Sequence, residues 1–340
     1  MAFLRSSLLA AAALPLTLAA CGGGDDGQPT PEGMHYHTVA SKVFVPTTNT
    51  QAREYGLDLN ADGTVDNQLG MVLSTLGSMG FDIQATIDTA VLKGSINLLM
   101  DVQTADATFM SSAATGLSVY IGSNPQPAAC MTGEDVTCTT AKPAVCTGCG
   151  HQLSPTGGMF TAATNQDIAL AGKIVGGTFT GGPGDLSIQI AIGGTMPIPL
   201  NLLGARAKAT GMSDANLGTV SGSTVTGGVV LGGAITQDDI NNNIIPAVVN
   251  QLTPTIARDC TMTSPPVTGC GCGDGTTGKT IIGLFDTNND CMVSVDEVKS
   301  NSLIMSLLAP DVTIDGKMAL SLGIKVAAEK ATFTVAGETM

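Results

Sequence analysis

The stretch Leu186-Ser-Ile-Gln-Ile-Ala-Ile192 alternates apolar residues with polar or small ones. A period of two is typical of a β-strand that buries one face and turns the other outward. The segments Ile168–Ile174 and Ala205–Thr210 follow the same alternation, and Gly-Gly pairs separate the three segments. Because these breaks are short and rich in glycine, we expect neighbouring strands to run antiparallel.

Helical periodicity appears on both sides of this region. Apolar residues recur at helical spacing in Asn67–Met79 and in Phe81–Leu92. A third helix is expected to begin after Thr236 as N-cap and to run to about Ala257, with Pro246 kinking or splitting it. The sequence therefore predicts an α+β fold: a largely antiparallel, sandwich-like β-sheet with several packed helices and disulfide-stapled loops.

The composition restricts both the core and the partners. With 43 glycines and 3% aromatic residues, the core must be built from Leu, Ile, Val, Ala and Met, so cross-links or bound ligands would add stability. The formal net charge is −14, from 14 Lys and Arg against 28 Asp and Glu. An acidic chain without tryptophan or a basic cluster repels nucleic acid, so we expect no nucleic-acid partner.

The N-terminal residues combine a positive charge with a short apolar run. Arg5 precedes Ser6–Ala20, which is too short to span a bilayer as a mature helix. The run ends in Leu18-Ala19-Ala20-Cys21, which resembles the lipobox of bacterial lipoproteins. The resemblance implies cleavage before Cys21, acylation of its thiol and new amine, and attachment to a membrane; Gly22 favours the outer membrane, on either face. The alternative is an ordinary signal peptide with an incidental cysteine.

These features divide the chain into three segments. Residues 1–20 are the expected lipoprotein signal peptide, and residues 21–34 form a flexible, glycine-rich tether. Residues 35–340 contain no further long linker, so we expect a single α+β domain there. Two acidic loops within it, at 58–69 and 286–297, carry the candidate chemistry.

Eight cysteines besides Cys21 form two groups along the chain: Cys130, Cys138, Cys146 and Cys149, then Cys260, Cys270, Cys272 and Cys291. An even count in an exported chain predicts up to four disulfides. Because closing a short loop costs the least entropy, we expect each cysteine to pair within its own group. The alternative is a zinc site that combines Cys146-x-x-Cys149 with Cys270-x-Cys272.

Residues 286–297 read Asp-Thr-Asn-Asn-Asp-Cys-Met-Val-Ser-Val-Asp-Glu. The candidate ligands are the side chains of Asp286, Asn288, Asp290, Ser294 and Glu297 and the carbonyl of Met292. Calcium takes about six to eight oxygen ligands, and this spacing resembles the calcium loop of an EF-hand. The glycine usual at position 6 is replaced by Cys291, which needs a strained positive φ. This implies either a lowered affinity or a disulfide that holds the turn; an Asx-rich turn without a metal is the alternative.

Residues 58–69 form a second loop of this kind, with the turn glycine present at Gly63. Its candidate ligands are Asp58, Asn60, Asp62, Thr64 and Asp66. Position 12 is Leu69, so the last carboxylate is missing. The loop resembles those of dockerins and thrombospondin repeats, and the resemblance implies a last ligand from elsewhere in the chain. An Asx-Gly turn ahead of a helix is the alternative.

The two loops are expected to pair with each other. EF-type loops gain affinity by pairing through the apolar residue at position 8, which is Val65 in one loop and Val293 in the other. An amphipathic segment follows each loop, Asn67–Met79 and Val298–Leu308. We therefore predict one discontinuous module with Val65 and Val293 at the Cα separation of paired strands, about 5 Å.

Three further motifs resemble binding sites for phosphate, a transition metal and haem, but each has a simpler structural explanation. Residues 273–280 match the G-x-x-x-x-G-K-[ST] phosphate-binding pattern, but a cysteine-rich turn precedes them where a buried strand is required. His35 and His37 lie on one face of an expected strand, which could seat zinc or copper; two exposed histidines beside the tether are the simpler interpretation. Cys146-Thr-Gly-Cys149-Gly-His151 fails as a haem site because histidine does not directly follow the second cysteine.

These observations predict a calcium-binding, non-catalytic envelope lipoprotein with a structural or interaction role. Residues 57–70 and 284–297 resemble phrases found in uncharacterised lipoproteins of the myxobacterial type, a resemblance that supplies no activity. One alternative is an envelope carrier of an apolar ligand, which a deep apolar cavity would favour. The other is a hydrolase with an unrecognised site, which requires converging titratable groups away from both loops. An envelope protein or an apolar ligand is the expected partner.

Overall fold

The alternating segments form strands in the computed structural model, which describes residues 28–78, 83–130, 149–154, 157–163, 170–190, 198–222, 224–261 and 268–334. The strands are β1 (Met34–Phe44), β2 (Leu98–Thr104), β3 (Ser111–Gln126), β4 (Gly158–Ala162), β5 (Leu170–Val175), β6 (Thr178–Ile190), β7 (Ile198–Thr210), β8 (Asn216–Leu217), β9 (Thr219–Ser221), β10 (Thr224–Thr226), β11 (Gly228–Thr236), β12 (Val312–Ile314) and β13 (Lys317–Thr334). The α-helices are α1 (Asn49–Glu54), α2 (Gln68–Ser78), α3 (Ile83–Leu92), α4 (Gln237–Asp239), α5 (Ile245–Asp259), α6 (Thr277–Phe285), α7 (Val295–Ser300) and α8 (Ser302–Leu307). Short 3₁₀ turns occupy His151–Leu153 and Thr268–Gly271.

Eight of the strands form a closed antiparallel barrel. Its order is β1-β2-β3-β5-β6-β7-β11-β13, and β13 returns to pair with β1. Strands that follow each other in the chain are mostly neighbours in the barrel, as in an up-and-down arrangement. Outside the barrel, β4 pairs with β3 and, in parallel, with the end of β13. The short β9 and β10 form a separate hairpin.

Alternate residues of each strand fill the barrel interior. Met100 faces Val119 across β2 and β3, and Leu231 faces Ile324 across β11 and β13. These four side chains are almost fully buried. A barrel of eight strands has an interior just wide enough for such side chains to fill it. The interior is therefore an aliphatic core.

Helices cover one end of the barrel. α1 to α3 are inserted between β1 and β2, and α4 to α8 between β11 and β12. Both insertions leave from the same end, because β1 and β11 run antiparallel to β13 and therefore both end toward its start: Phe44 pairs with Lys325 and Thr236 with Ala319. Apolar residues of α2, α3, α5 and α6 belong to the same buried cluster as the barrel interior. None of the helices within the described ranges is long and apolar enough to cross a membrane.

The helix expected after Thr236 is confirmed, and its irregularity has a local cause. The Thr236 hydroxyl accepts a hydrogen bond from the Asp239 N–H as N-cap. A π-helical segment, Ile240–Ile244, then connects α4 to α5. Pro246 stands in the first turn of α5, directly after the π-helical segment, and without an N–H it cannot continue the helical hydrogen bonds there. The proline thus marks the junction between two helical segments.

The expected sandwich-like sheet with packed helices is wrong: the sheet closes on itself as a barrel. Sandwich and barrel strands both bury one face, so both produce the same alternation in the sequence. What separates them is whether the first and last long strands pair. Here they do, through contacts such as Ala40 with Ala328 and Val43 with Val326. The disulfide-closed loops of the prediction are present.

Asn67, the residue between the first acidic loop and α2, fastens this region to the outer face of β13. Its Nδ2 donates to the carbonyls of Ala52 (2.9 Å) and Gly323 (3.1 Å). Its Oδ1 accepts from the N–H groups of Gly70 (3.0 Å) and Gly323 (2.8 Å). The amide is buried, and these four bonds use both its donors and both its acceptor positions. Gly323 is required because a Cβ there would stand 2.2 Å from the Tyr55 carbonyl oxygen.

We predict that Asn67→Ala lowers the free energy of unfolding by about 3 kcal/mol, because it leaves buried backbone groups of Gly323 and Gly70 without partners. Asn242→Ala is the matched control, since Asn242 is exposed in the π-helical segment and its loss should change stability by less than about 0.5 kcal/mol. Urea unfolding of the oxidised proteins measures both. Equal unfolding midpoints for the two variants would contradict the role assigned to Asn67.

Candidate metal centres

The loop at 286–297 connects α6 to α7 and is folded around the carboxylate of Asp286. Oδ1 of Asp286 accepts from the Asp290 N–H (3.0 Å), and Oδ2 accepts from the Cys291 N–H (3.0 Å). Oδ1 of Asn288 accepts from the same Asp290 N–H (2.9 Å), and Asp290 Oδ1 accepts from the Met292 N–H (2.9 Å). Backbone N–H groups therefore turn the side-chain oxygens of positions 1, 3 and 5 inward.

Glu297 at position 12 reaches back across this loop. Its Oε1 accepts from the N–H groups of Thr287 (2.9 Å) and Asn288 (3.3 Å). Its Oε2 accepts from the N–H and hydroxyl of Ser294, which forms a capping box at the start of α7. Burial raises the pKa of Glu297, but the hydrogen bonds from Ser294, Asn288 and Thr287 outweigh it and lower the pKa overall. The carboxylate is thus held ionised over the start of the loop.

The loop at 58–69 repeats this geometry. Asp58 accepts from the Asp62 N–H (3.1 Å) and the Gly63 N–H (2.9 Å), as Asp286 does from the residues at the same positions. The Asp62 N–H also donates to Asn60 Oδ1 (3.1 Å), and the Thr64 N–H donates to Asp62 Oδ1 (2.8 Å). The Thr64 hydroxyl and N–H together lower the pKa of Asp62. Two loops far apart in the sequence therefore share one set of hydrogen bonds.

The two loops also share their backbone conformation. Position 4 has a φ of 61° in both, at Ala61 and Asn289, and position 6 has a φ of 89° at Gly63 and 67° at Cys291. Glycine adopts such a conformation freely, whereas cysteine does so at a steric cost. A disulfide joins Cys291 to Cys270, with sulfurs 2.10 Å apart. Of the two outcomes expected for Cys291, the structure thus has a disulfide at the turn.

The loops differ in how their last carboxylate is supplied. Leu69 is buried in α2, and Asp66 takes the place that Glu297 has in the other loop: its Oδ2 accepts from the Leu59 N–H (2.8 Å). Burial raises the pKa of Asp66, and the negative charges of Asp311, Asp62 and Asp58 raise it further, against the Leu59 hydrogen bond. Asp311 lies just before β12, far along the chain from this loop, so no local pattern indicated that its charge acts here.

The expected pairing of the two loops is wrong. Val293 is buried in the main core, whereas the Val65 side chain is 54% exposed. Both residues are described, and neither belongs to a strand or a β-bridge. Val65 instead lines a concavity beside Lys208 and Lys325 of the barrel wall. The first loop lies against the barrel and the second among the helices, so each stands alone.

The disulfides follow the two groups, as expected. They join Cys130 to Cys149, Cys260 to Cys272 and Cys270 to Cys291. Cys138 and Cys146 lie outside the described residues, as does Cys21. The zinc alternative fails because three of its four cysteines are disulfide-bonded. The sulfurs of Cys270 and Cys291 also lie beside the Asp286 carboxylate. Because the two sulfurs are joined in a disulfide, they are not available as thiolate ligands for a metal.

The phosphate-loop pattern at 273–280 lacks, among the described residues just before it, the buried strand that must precede such a loop. The segment follows the Cys260–Cys272 disulfide, and Thr276 caps α6. Lys279 forms an ion pair with Asp274 (2.6 Å), and both side chains are exposed. No strand precedes the segment within residues 268–272, which the structure does describe.

A third cluster lies on the barrel wall. His35 Nδ1 stands 2.7 Å from Asp101 Oδ2, and His37 Nε2 stands 3.8 Å from Asp101 Oδ1. One ligand atom from each residue lies within 4.8 Å of the others. The sequence placed the two histidines on one strand face but did not identify Asp101, which the β1–β2 register sets opposite His37.

The comparisons with known proteins give no assignment: no family model, no curated protein and no solved structure matches this chain. The function is therefore inferred from the residues themselves.

Proposed function

We propose that this chain is a calcium-binding, non-catalytic lipoprotein of the cell envelope with a structural or interaction role. The observation that carries the proposal is the shared geometry of the two acidic loops. Residues 58–66 and 286–294 form the same four hydrogen bonds from backbone N–H groups to the side-chain oxygens of positions 1, 3 and 5. Inward-facing side-chain oxygens at alternate positions are how a calcium loop presents its ligands, and a bound cation would offset the repulsion between the carboxylates.

In the second loop the donor set fits calcium. The ligands would be the side-chain oxygens of Asp286, Asn288, Asp290, Ser294 and Glu297 and the carbonyl of Met292, which are all hard oxygen donors. Each oxygen of Asp286 and Asp290 accepts at most one backbone N–H, which leaves a lone pair for the metal. Glu297 would exchange some of its hydrogen bonds from Thr287, Asn288 and Ser294 for the metal. Three carboxylates supply three negative charges, and calcium would offset two of them.

In the first loop the donors would be Asp58, Asn60, Asp62, the carbonyl of Thr64 and Asp66. The last carboxylate would come from Asp66, which stands where Glu297 stands in the second loop. The negative charge of Asp311 raises the pKa of Asp66, so a cation here would also offset the repulsion between these two carboxylates.

The position of the loops supports a structural role. The first loop precedes Asn67 and lies against the outer face of β13, and the second connects two helices that cover the barrel end. Both belong to the helical insertions, which have few aromatic side chains to hold them. Bound calcium would stabilise the folded state by the free energy of binding.

We predict that calcium raises the melting temperature, measured by calorimetry of the mature protein. At free calcium about 100 times Kd the stabilisation is about 2.7 kcal/mol per site. Titration calorimetry should count two ions for the wild type and one for either Glu297→Gln or Asp58→Asn, because each substitution removes a negative ligand from one loop.

Glu32→Gln is the matched control for charge, since Glu32 is exposed and lies before β1, away from both loops. It should keep two ions and the full shift in melting temperature. Equal melting temperatures in calcium and in chelator would reject the calcium function. Two ions bound to Glu297→Gln would reject the second loop as a site.

Attachment to the envelope is the second part of the proposal, through acylated Cys21 and the tether of residues 21–34. The three disulfides support an oxidising compartment, since such bonds persist outside the reducing cytosol. Two or more acyl chains anchor a protein stably where one is marginal. The outer membrane remains the proposed location, on either face.

We expect a labelled fatty acid to be incorporated when the full chain is produced in a lipidating bacterium, with the protein recovered in the membrane fraction. Cys21→Ser should lose the label and release the protein, because it removes the acylated thiol. Cys260→Ser tests that loss of a cysteine elsewhere leaves the label unchanged. An unlabelled wild type, or a labelled Cys21→Ser variant, would contradict acylation at Cys21.

The two alternatives remain predictions. A carrier of an apolar ligand needs a deep apolar cavity, whereas the two concavities described here, about 500 Å³ and about 440 Å³, open to solvent and include charged side chains such as Arg206 and Lys208. A hydrolase needs converging titratable groups away from both loops, and the cluster of His35, His37 and Asp101 is such a group.

A further inference from the structure

The cluster of His35, His37 and Asp101 is built by strand register. Residues at alternate positions of a strand share a face, so His35 and His37 project from the same side of β1. β2 places Asp101 directly opposite His37 and Gln103 opposite His35. This face is the outer one, because Tyr36 and Thr38 alternate with the histidines and pair with the inward-facing Val102 and Met100. Two imidazoles and a carboxylate thus converge on the outside of the barrel.

Two of the three side chains are fixed before any ligand arrives. Asp101 is 4% exposed, and it is held between the two strands. The His37 ring is stacked on Phe333 of β13, with centroids 4.1 Å apart and planes inclined by 19°. Phe333 belongs to a small apolar cluster with Val39, Leu99 and residues of β4. Ligands with fixed rotamers lose little entropy on binding a metal.

The third side chain leaves the cluster accessible. His35 is 32% exposed, and its ring lies 6.3 Å from that of His37 at an angle of 61°. Solvent therefore reaches the cluster from the His35 side while Phe333 closes the His37 side. Such a site offers three protein ligands and an open fourth position for water.

The distances match a transition metal after small side-chain rotations. Zinc binds imidazole nitrogen and carboxylate oxygen at about 2.0–2.2 Å, so two tetrahedral ligands stand about 3.4 Å apart. The His35 Nδ1–Asp101 Oδ2 separation of 2.7 Å and the His37 Nε2–Asp101 Oδ1 separation of 3.8 Å lie on either side of that value. They involve different oxygens of the carboxylate, which would rotate to bring one oxygen to the metal with both imidazoles. Nitrogen donors exclude calcium, which takes oxygen ligands in larger number, and favour zinc and copper.

We infer that His35, His37 and Asp101 form a site for a divalent transition metal of the zinc type, open to solvent at one position and separate from both acidic loops. The ligands are one ring nitrogen from each histidine and a carboxylate oxygen of Asp101. The simpler role for these residues is a hydrogen-bonded His–Asp contact without a metal, and the experiment below separates the two.

The test is a titration of the tag-free mature protein with zinc chloride in saturating calcium, which occupies the acidic loops. We expect one zinc ion to bind, and we expect His35→Gln and His37→Gln each to weaken binding at least about tenfold, since each removes a ligand. Cobalt titrated in place of zinc should give the visible absorption of a tetrahedral ion in the wild type and lose it in both variants. Asp101→Asn, checked for folding by circular dichroism, should weaken binding likewise.

His151→Gln is the matched control, because His151 lies in the 3₁₀ turn before β4 and is not part of the cluster. It should bind zinc as the wild type does. The inference is overturned if the wild type binds no zinc, if either His35→Gln or His37→Gln keeps the wild-type affinity, or if His151→Gln loses it. His35→Gln changes a partly exposed side chain, so it tests the site without depending on a buried substitution.

Discussion

The pairing of β1 with β13 is the constraint on which the other features depend. It joins the two ends of the chain, as in the hydrogen bond from Ser41 to the Ala327 carbonyl, which spans 286 positions. Both helical insertions leave at one end of the barrel. There, beyond the last β1–β13 pair (Phe44 with Lys325), Asn67 bonds the backbone of Gly323 and fastens the first acidic loop to β13. Contacts between residues so far apart in the sequence require a large loss of chain entropy before they contribute stability. The packed helices and the disulfides help to offset this entropic cost.

The two acidic loops reach one geometry by different local means. At position 6 one loop uses Gly63, which adopts a positive φ freely, and the other uses Cys291, which a disulfide to Cys270 holds. At the end of the loop one uses Glu297 from the following helix and the other uses Asp66. The inward-facing oxygens come from Asp, Asn and Asp at positions 1, 3 and 5 of both loops, while the residues that support them differ. We propose calcium as the ligand of this shared arrangement.

The sequence predicted individual strands, helices and cysteine groups, but it did not predict contacts between residues far apart in the chain. Alternation identified β6 and β7, helical spacing identified α2 and α3, and short separations identified the groups in which cysteines pair. Closure of the barrel depends on β1 meeting β13, and no local pattern reports such a meeting. Asp101 and Asp311 were missed for the same reason. The pairing of Val65 with Val293 failed because Val293 found its apolar contacts among the helices.

Anomalous diffraction from crystals grown in calcium tests directly whether both acidic loops bind calcium. We expect two anomalous peaks, one in each loop, about 2.3–2.6 Å from the oxygens of Asp58 and Asp62 and of Asp286 and Glu297. Crystals grown in millimolar calcium with no peak at either loop would show that the loops are not calcium sites.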